Sequence, residues 1–223
     1  MVAPHDRRVH ERSHGTGAAE DHAFDKAYWE RHWRQPHGES APAGQPPNPY
    51  LIDEVADLTP GTALDAGCGA GAEAIWLASA GWRVTAADIS TEALARAAAR
   101  APADDAGPLD WIRADLGVWE PEHPFDLVTT HYAHPAMPQL DFYERIARWV
   151  APGGTLLIVG HLHGRHSGHG EQPPSEASAT PATVTALFAE PQWGVVTAAE
   201  HSRTVVGRPT PLQDFVVRVT RLN

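Results

Sequence analysis

The stretch ALDAGCGAGAEAIWLASAG, residues 63–81, decides the fold of this chain. Its first residues form a short apolar run typical of a buried strand, and residues 73–81 have the composition of a helix that ends at Gly81. Between them lies a glycine-rich turn, where small residues and free N–H groups at the start of a helix let a ligand approach the backbone. The stretch therefore predicts a strand–loop–helix unit that binds a nucleoside-containing ligand, and the glycines alone leave the kind of nucleoside open.

The same alternation continues along the chain. The pattern predicts strands over 62–67, 83–89, 109–116, 125–132, 155–161, 195–206 and 213–222, and helices over 49–58, 73–81, 91–101, 140–150 and 181–189. Short apolar strands that alternate with helices indicate βαβ units, a parallel sheet and helices on both faces. No helix separates the last two strands, so we expect them to pair antiparallel. The fold class is therefore α/β, a seven-stranded mixed sheet, mostly parallel with a C-terminal antiparallel strand pair.

The N-terminal part of the chain differs from the rest in composition. Residues 1–20 carry charge, Gly and His without an apolar period and predict a mobile tail. Residues 21–48 contain a short helix with an aromatic face at about 24–33, then a loop rich in Pro, Gly and Ser. We expect this segment to be a lid, with Trp33 as its ligand contact, over a main domain formed by residues 49–223.

The overall composition excludes several classes of protein. The chain of 223 residues has 17 basic and 28 acidic side chains, a net charge of -11, which argues against a nucleic acid or an anionic membrane as a partner. Its one cysteine excludes an intrachain disulfide and a multi-cysteine zinc site. No apolar run approaches the roughly 20 residues that cross a bilayer. We expect a cytoplasmic protein.

Three carboxylates follow three neighbouring strands, at the edge of the sheet where parallel strands end and ligands usually bind. Asp65 lies two residues before the first glycine, where it would repel a pyrophosphate but suit a cationic amino group. Asp88 ends the second strand and is placed to accept ribose hydroxyls; Asp115 follows the third and is placed to accept from an exocyclic amine of adenine. An acidic cradle matches a cofactor with ammonium, sulfonium, ribose and adenine groups and no phosphate, which is S-adenosylmethionine.

These segments resemble the class I S-adenosylmethionine-dependent methyltransferases over about residues 24–223. The segments that carry the resemblance are ALDAGCGAGAEAIWLASAG, VTAADIS, RADL, FDLVTTHY and APGGTLLIVGH. The resemblance implies a Rossmann-like sheet and these cofactor-binding residues: Asp65, Gly67, Cys68, Gly69, Gly71, Asp88, Ile89, Asp115, Leu116, His131 and Trp33. One departure is Ala70, where many relatives carry an acidic or polar residue, with Glu73 the nearest acid in this chain.

Two further segments, YWERHW and PNPYLIDEVADL, resemble the small-molecule branch related to thiopurine S-methyltransferase and the tellurite-resistance methyltransferases. That branch implies a small-molecule acceptor and a lid that caps the cofactor. DNA enzymes that methylate amino groups carry [D/N]-P-P-[Y/F] after the fourth strand, where this chain has THYAHP. We therefore expect no nucleic acid and no membrane as partners, and a monomer or homodimer.

The candidate catalytic residues follow the fourth strand, whose end faces the methyl group in this fold. Methyl transfer depends mainly on orientation and exclusion of water, and a phenol acceptor needs a base where an ionised thiol does not. His131 is the first candidate for a general base, followed by Tyr132, His134 and His161; the alternative for His131 is a gate or cofactor contact without proton transfer. As a base, His131 predicts a rate that rises through an apparent pKa of about 6–7.

The remaining histidines of the fifth-strand region have spacings that a metal site could use. They are His161, His163, His166 and His169. No carboxylate stands at a fixed spacing from them, and residues 162–178 are polar and rich in Gly, Pro and Ser. We expect this segment to be a mobile loop without a metal, and we expect no metal site in the chain.

Two other functions remain open from the sequence. The chain could be a binding protein that keeps the cofactor pocket and has lost catalysis, in which case S-adenosylhomocysteine binds and no acceptor is methylated. It could also be an NAD(P)-dependent oxidoreductase, because Ala72 completes a G-x-G-x-x-A dinucleotide pattern. That function predicts binding of NADH and not of S-adenosylhomocysteine.

Overall fold

Strands and helices alternate along most of the chain. The computed structural model describes residues 24–35, 46–102, 107–162, 179–188, 191–204 and 211–223. The strands in these ranges are β1 (Thr62–Ala66), β2 (Arg83–Asp88), β3 (Leu109–Arg113), β4 (Phe125–His131), β5 (Val150–His161), β6 (Trp193–Arg203) and β7 (Leu212–Arg221). The helices are α1 (Lys26–Arg34), α2 (Pro49–Val55), α3 (Ala72–Ser79), α4 (Thr91–Arg100), α5 (Gln139–Ala147) and α6 (Pro181–Thr185).

The strands form one mixed sheet in the order β3-β2-β1-β4-β5-β7-β6 among the described residues. The pairs from β3 to β5 are parallel, and β7 is antiparallel to both β5 and β6. The predicted fold class is therefore confirmed. Because β7 lies between β5 and β6, the last strand of the chain is an interior strand and β6 takes the edge.

Both faces of the sheet are covered by helices, as the sequence predicts. Successive residues of a strand point to opposite faces, so Ala63 packs in one apolar cluster and Leu64 in the other. The first cluster includes Leu77 of α3, and the second includes Phe142 of α5. The central strands are buried on both sides, which is why they read as nearly continuous apolar runs.

The largest differences from the predicted strand boundaries include the start of β5 and the end of β3. β5 begins at Val150 instead of residue 155, because Val150 already pairs with Phe125, whose N–H donates to the carbonyl of Trp149 at 2.8 Å. Helix α5 is correspondingly shorter and ends at Ala147. β3 ends at Arg113 instead of residue 116, because the chain turns at Asp115, whose carbonyl accepts from Val118 and Trp119.

The aromatic N-terminal helix begins two residues later than predicted. The Asp25 side chain accepts from the Tyr28 N–H at 2.7 Å and caps α1, which excludes Phe24 from the helix. The predicted tail at residues 1–20 and the histidine-rich loop at 162–178, apart from Leu162, lie outside the described residues. None of the helices in the described ranges is long and apolar enough to cross a membrane.

The interior of the sheet leaves no room at Gly160, which yields a test of the packing. A Cβ atom at Gly160 would lie 2.5 Å from the ring of Phe215, a side chain that is fully buried in β7. Gly160→Ala should therefore lower the free energy of unfolding by about 1–3 kcal/mol, the usual cost of overpacking. Urea denaturation followed by circular dichroism measures this change.

The matched control is Gly194→Ala in β6. A Cβ atom there would find its nearest neighbour, a methyl group of Leu222, at 3.7 Å. This substitution should leave the stability unchanged or raise it slightly, since alanine restricts the unfolded chain more than glycine does. Equal stability of the two variants would contradict the close contact between Gly160 and the Phe215 ring.

Candidate active site

The glycine-rich loop between β1 and α3 forms the floor of the candidate site. Gly67, Gly69 and Gly71 have φ angles of 84°, 50° and 75°, a region that favours glycine. A Cβ atom at Gly67 would lie 2.5 Å from the side chain of Ala133, so the loop passes close to the end of β4. Helix α3 begins directly after Gly71 and has no side-chain cap, which leaves its first backbone N–H groups for other partners.

A cavity of about 400 Å³ opens above this loop, within the usual size of a small-molecule site. Most of the residues that the sequence predicts for the site line it. They are Trp33, Gly67, Cys68, Gly69, Gly71, Asp88, Ile89, Asp115, Leu116, His131, Tyr132 and His134. The structure therefore brings together predicted residues from five separate segments, and their individual roles stay predictions.

Asp65 lies at the end of β1, just before the loop, and is 1% exposed. Its Oδ2 atom has no hydrogen-bond partner within the described residues. Burial, with the neighbouring charges of Glu73 and Asp88, raises the pKa of this carboxyl well above its usual range. A buried oxygen without a partner costs free energy, and a cationic group that donates hydrogen bonds would remove that cost. The residue therefore fits a ligand with an ammonium group.

Each carboxylate oxygen of Asp88, at the end of β2, already accepts one hydrogen bond from the backbone. Its Oδ2 accepts from the Gly69 N–H at 2.9 Å and its Oδ1 from the Ser90 N–H at 2.8 Å. Burial raises the pKa of this carboxyl, and these backbone N–H groups oppose the rise. Each carboxylate oxygen keeps a second lone pair, so Asp88 is able to accept the two hydroxyls of a ribose while it holds the loop.

Cys68 belongs to the same loop and is buried. Burial, with the charges of Asp65 and Asp88, raises the pKa of its thiol well above the usual value. Because the thiolate is the nucleophilic form of cysteine, this side chain is a packing residue of the loop and not a covalent catalyst.

Helix α1 lies across the cavity and is fixed at both ends. Its Glu30 carboxylate is 7% exposed and accepts from the backbone N–H of Thr91 at 2.9 Å and from its hydroxyl at 2.6 Å. The Trp29 indole N–H donates to the carbonyl of His134 at 3.0 Å, and the Trp33 ring covers Gly69. The helix thus bridges the start of α4 and the loop after β4, which is the position a lid requires.

His131 is the last residue of β4, and one of its two ring nitrogens is buried without a hydrogen bond in the described residues. Its Nδ1 lies 3.5 Å from the Thr129 hydroxyl, while its Nε2 is buried without a partner in the described part of the chain. Burial lowers the pKa of the ring, with Glu73 opposing. A neutral imidazole with an unengaged nitrogen is the form that accepts a proton.

The two residues next considered for proton transfer are held differently. Gln139 donates from Nε2 to the Ala133 carbonyl at 3.0 Å, so its Oε1 accepts from His134 Nδ1 at 2.8 Å and fixes the proton of the neutral ring there. Tyr132 has a φ angle of 55°, uncommon for a large residue, and its hydroxyl contacts Asn48 and Arg203.

The sequence reasoning missed three polar residues near the end of β4. Asn48, Arg203 and Asp214 surround Tyr132 and His161. The one available signal is Asp214, a charged residue in an otherwise apolar strand. His161 Nδ1 lies 2.8 Å from Asp214 Oδ1, so this histidine is engaged by a carboxylate of the sheet. Within the described ranges, no cluster of three His, Cys, Asp or Glu side chains could hold a metal ion.

Comparison with known proteins finds methyltransferases that are similar to this chain. Residues 63–154 match a family described as a methyltransferase domain. The trans-aconitate 2-methyltransferase of Streptomyces avermitilis is 38% identical over 117 residues, covering 48% of this chain and 42% of that protein. A probable thiol methyltransferase of Arabidopsis thaliana is 28% identical over 157 residues, covering 67% of each. The chain thus spans less than half of the first relative.

Solved structures share the fold at lower identity. The N-methyltransferase NodS of Bradyrhizobium japonicum, in complex with S-adenosylhomocysteine, has a TM-score of 0.59 at 16% identity, covering 78% of this chain and 84% of that one. TehB of Haemophilus influenzae has a TM-score of 0.62 at 14% identity, covering 89% and 67%. These structures show a fold that the chain shares with methyltransferases, and the match to the methyltransferase-domain family covers residues 63–154.

Proposed function

We propose that this protein transfers the methyl group of S-adenosylmethionine to a small-molecule acceptor, an aromatic hydroxyl, a thiol or a metalloid. One observation carries the proposal: the buried carboxylate of Asp88 lines the cavity above the glycine loop, and Asp65, just before that loop, has a buried oxygen without a partner among the described residues. A dinucleotide would bring its pyrophosphate against these acids, whereas S-adenosylmethionine brings a cation. The named acceptors of two relatives, trans-aconitate and a thiol, support a small acceptor.

Different residues of the chain would bind the cofactor, exclude water and accept a proton. When bound, the sulfonium supplies a methyl group whose bond to sulfur breaks as the acceptor lone pair bonds to carbon, leaving that electron pair on sulfur. Asp65 and Asp88 hold the ammonium and the ribose, and α1 with Trp33 excludes water from the cavity. His131 Nε2 takes the proton of an acceptor that must lose one. Most of the acceleration then comes from orientation in a dry site.

The proposal is tested by methyl transfer to a panel of acceptors. The purified chain is incubated with S-adenosylmethionine and aromatic thiols, phenols, hydroquinones and metalloid oxyanions, and S-adenosylhomocysteine is measured by chromatography. Acceptor-dependent formation of S-adenosylhomocysteine is the expected result. Binding of S-adenosylhomocysteine with no turnover over the panel would favour a binding protein, and binding of NADH alone would favour an oxidoreductase.

The role of Asp88 is tested by substitution. Asp88→Ala removes the acceptor of two ribose hydroxyls, and bonds to a charged group contribute on the order of 1.5–3 kcal/mol each. The affinity for S-adenosylhomocysteine should fall at least about tenfold, roughly 1.4 kcal/mol, as measured by calorimetry. The control is Asp110→Ala, an exposed carboxylate of β3 that should leave the affinity unchanged. An unaltered affinity in Asp88→Ala would contradict the assignment to ribose.

The raised pKa of Asp65 predicts the pH dependence of cofactor binding. A bound ammonium favours the ionised carboxylate, so binding releases a proton wherever the free protein holds Asp65 protonated. The affinity for S-adenosylhomocysteine should therefore rise as the pH rises through this elevated pKa and level off above it. Calorimetry in two buffers of different ionisation enthalpy detects the released proton, and Asp65→Asn should weaken binding and flatten the slope. A slope unchanged in Asp65→Asn would assign the proton to another group.

His131 is tested with a phenol acceptor from the panel. His131→Ala should lower kcat by about 10²–10⁴ and leave the affinity for S-adenosylhomocysteine nearly intact. In the unmodified protein, kcat should rise with pH through an apparent pKa below the ordinary value of 6.5, since burial lowers the pKa of the ring and the neutral form is the base. The variant should lack this limb.

The control is His123→Ala, an exposed histidine between β3 and β4 that should change neither value. If His131→Ala raises KM for the acceptor and keeps the pH profile of kcat, then His131 is a gate and not a base.

A further inference from the structure

A group of polar side chains lies where β5, β6 and β7 meet the end of β4. Asp214 is fully buried and joins two of them: its Oδ1 lies 2.8 Å from His161 Nδ1, and its Oδ2 accepts from Arg203 Nε at 3.0 Å. Burial opposes ionisation of Asp214, and the bonds from His161 and Arg203 prevail and lower the pKa of its carboxyl. Asp214 therefore stays ionised and fixes the orientation of the Arg203 guanidinium.

Tyr132 is held with its hydroxyl between two donors. Arg203 Nη2 donates to this oxygen at 3.1 Å, and Asn48 Nδ2 donates to it at 3.0 Å. The Asn48 amide is oriented by its Oδ1, which accepts from the Tyr50 N–H at 3.0 Å. Two donors occupy both lone pairs of the phenol oxygen, so its own O–H group must donate elsewhere. Burial raises the pKa of Tyr132, and the phenol therefore keeps that proton.

The donors of this group that remain for a ligand lie on the Tyr132 hydroxyl and the Arg203 guanidinium. Tyr132 and Arg203 both line the cavity. An arginine side chain has five N–H donors; Arg203 gives one to Asp214 and one to Tyr132 and also interacts with the Tyr50 hydroxyl, so it keeps donors for a ligand. The ring of Tyr132 is stacked on His161, with centroids 4.1 Å apart. A phenol O–H and a guanidinium thus border the same cavity, and both are able to donate to a ligand.

The backbone of Tyr132 supports a role in binding. A φ angle of 55° is strained in a residue of this size and persists only where the surroundings enforce it. Here its N–H donates to the Val159 carbonyl at 2.9 Å while its hydroxyl takes the two bonds from Asn48 and Arg203. The phenol therefore borders the cavity, while its ring also packs against the apolar cluster that contains Ala63.

We propose that Tyr132 and Arg203 bind a carboxylate of the methyl acceptor, and so make this enzyme selective for small acceptors that carry one. A carboxylate supplies the oxygen acceptors that both donors lack, and the planar guanidinium matches its geometry. In this proposal the two charges bind at different places. The carboxylates of Asp65 and Asp88 bind the cationic cofactor, and the donors at the end of β4 bind the anionic group of the acceptor. This inference rests on the proposed function and names the class of its substrate.

The test compares matched ligands on the complex with S-adenosylhomocysteine, which binds without turnover. The probes are 4-mercaptobenzoate against 4-methylbenzenethiol, and 3,4-dihydroxybenzoate against 4-methylcatechol, measured by calorimetry. The carboxylate member of each pair should bind at least about tenfold tighter, because a site built to hydrogen-bond a group rejects the analogue without it. Tyr132→Phe, which keeps the stacked ring, and Arg203→Lys, which keeps the charge, should each reduce this preference at least about threefold.

The control is Arg148→Gln, which removes one exposed positive charge at the end of α5. It should keep the full preference; an equal loss in this variant would attribute the effect to net charge and overturn the inference. Equal affinities within both pairs, or a preference that survives in both Tyr132→Phe and Arg203→Lys, would overturn it as well.

The titration of S-adenosylhomocysteine on the same samples separates the two proposals. If S-adenosylhomocysteine binds and the carboxylate has no effect, only the inference about the acceptor fails. If S-adenosylhomocysteine does not bind to the unmodified protein, the proposed function fails.

Discussion

Buried carboxylates at the carboxyl edge of a parallel sheet are the constraint on which the site of this protein depends. Asp65 and Asp88 end adjacent strands and are 1% and 8% exposed. Burial raises the pKa of both carboxyls, and the neighbouring charge of Asp88 raises the pKa of Asp65 further. The protein offsets this cost for Asp88 with the N–H groups of Gly69 and Ser90, but leaves one oxygen of Asp65 without a partner. The glycine loop thus supplies a donor to Asp88, and Asp65 accepts from the backbone of Ala74 while its Oδ2 has no partner among the described residues. A cationic ligand would satisfy that oxygen.

Ser90 connects this pair of acids to helix α1, the segment proposed as a lid. Its N–H donates to Asp88, its hydroxyl caps α4 through the N–H of Ala93, and the same hydroxyl lies 3.4 Å from the Glu30 carboxylate of α1. Glu30 also accepts from Thr91, so a negative side chain from the lid stands at the N-terminus of α4, where the helix dipole favours it. The position of α1 and the orientation of Asp88 thus depend on the same turn between β2 and α4.

Two consecutive residues at the end of β4 are held in different ways. The positive φ angle of Tyr132 redirects the chain after His131. His131 has a buried nitrogen without a partner among the described residues, whereas the Tyr132 hydroxyl is held by two donors. His131 lies near Thr129 of its own strand, and Tyr132 lies against His161 of β5 and beside Arg203 of β6. The two side chains therefore have different surroundings, and the proposed roles in proton transfer and in acceptor binding follow from this difference.

The sequence by itself determined the sheet, the glycine loop and the acids at the strand ends. These features are local: a strand period, a turn that requires glycine and a carboxylate a fixed number of residues beyond it are readable without knowledge of distant contacts. The boundaries of β3 and β5 could not be read from the local sequence. For β5 the reason is that Val150 joins the sheet through its pairing with Phe125. Only the tertiary structure decided that Asn48, Arg203 and Asp214 surround Tyr132. Asn48 and Tyr132 are 84 positions apart and Arg203 and Tyr132 are 71 apart, and they meet because β7 pairs with β5 and β6 at once, a register that no local pattern specifies.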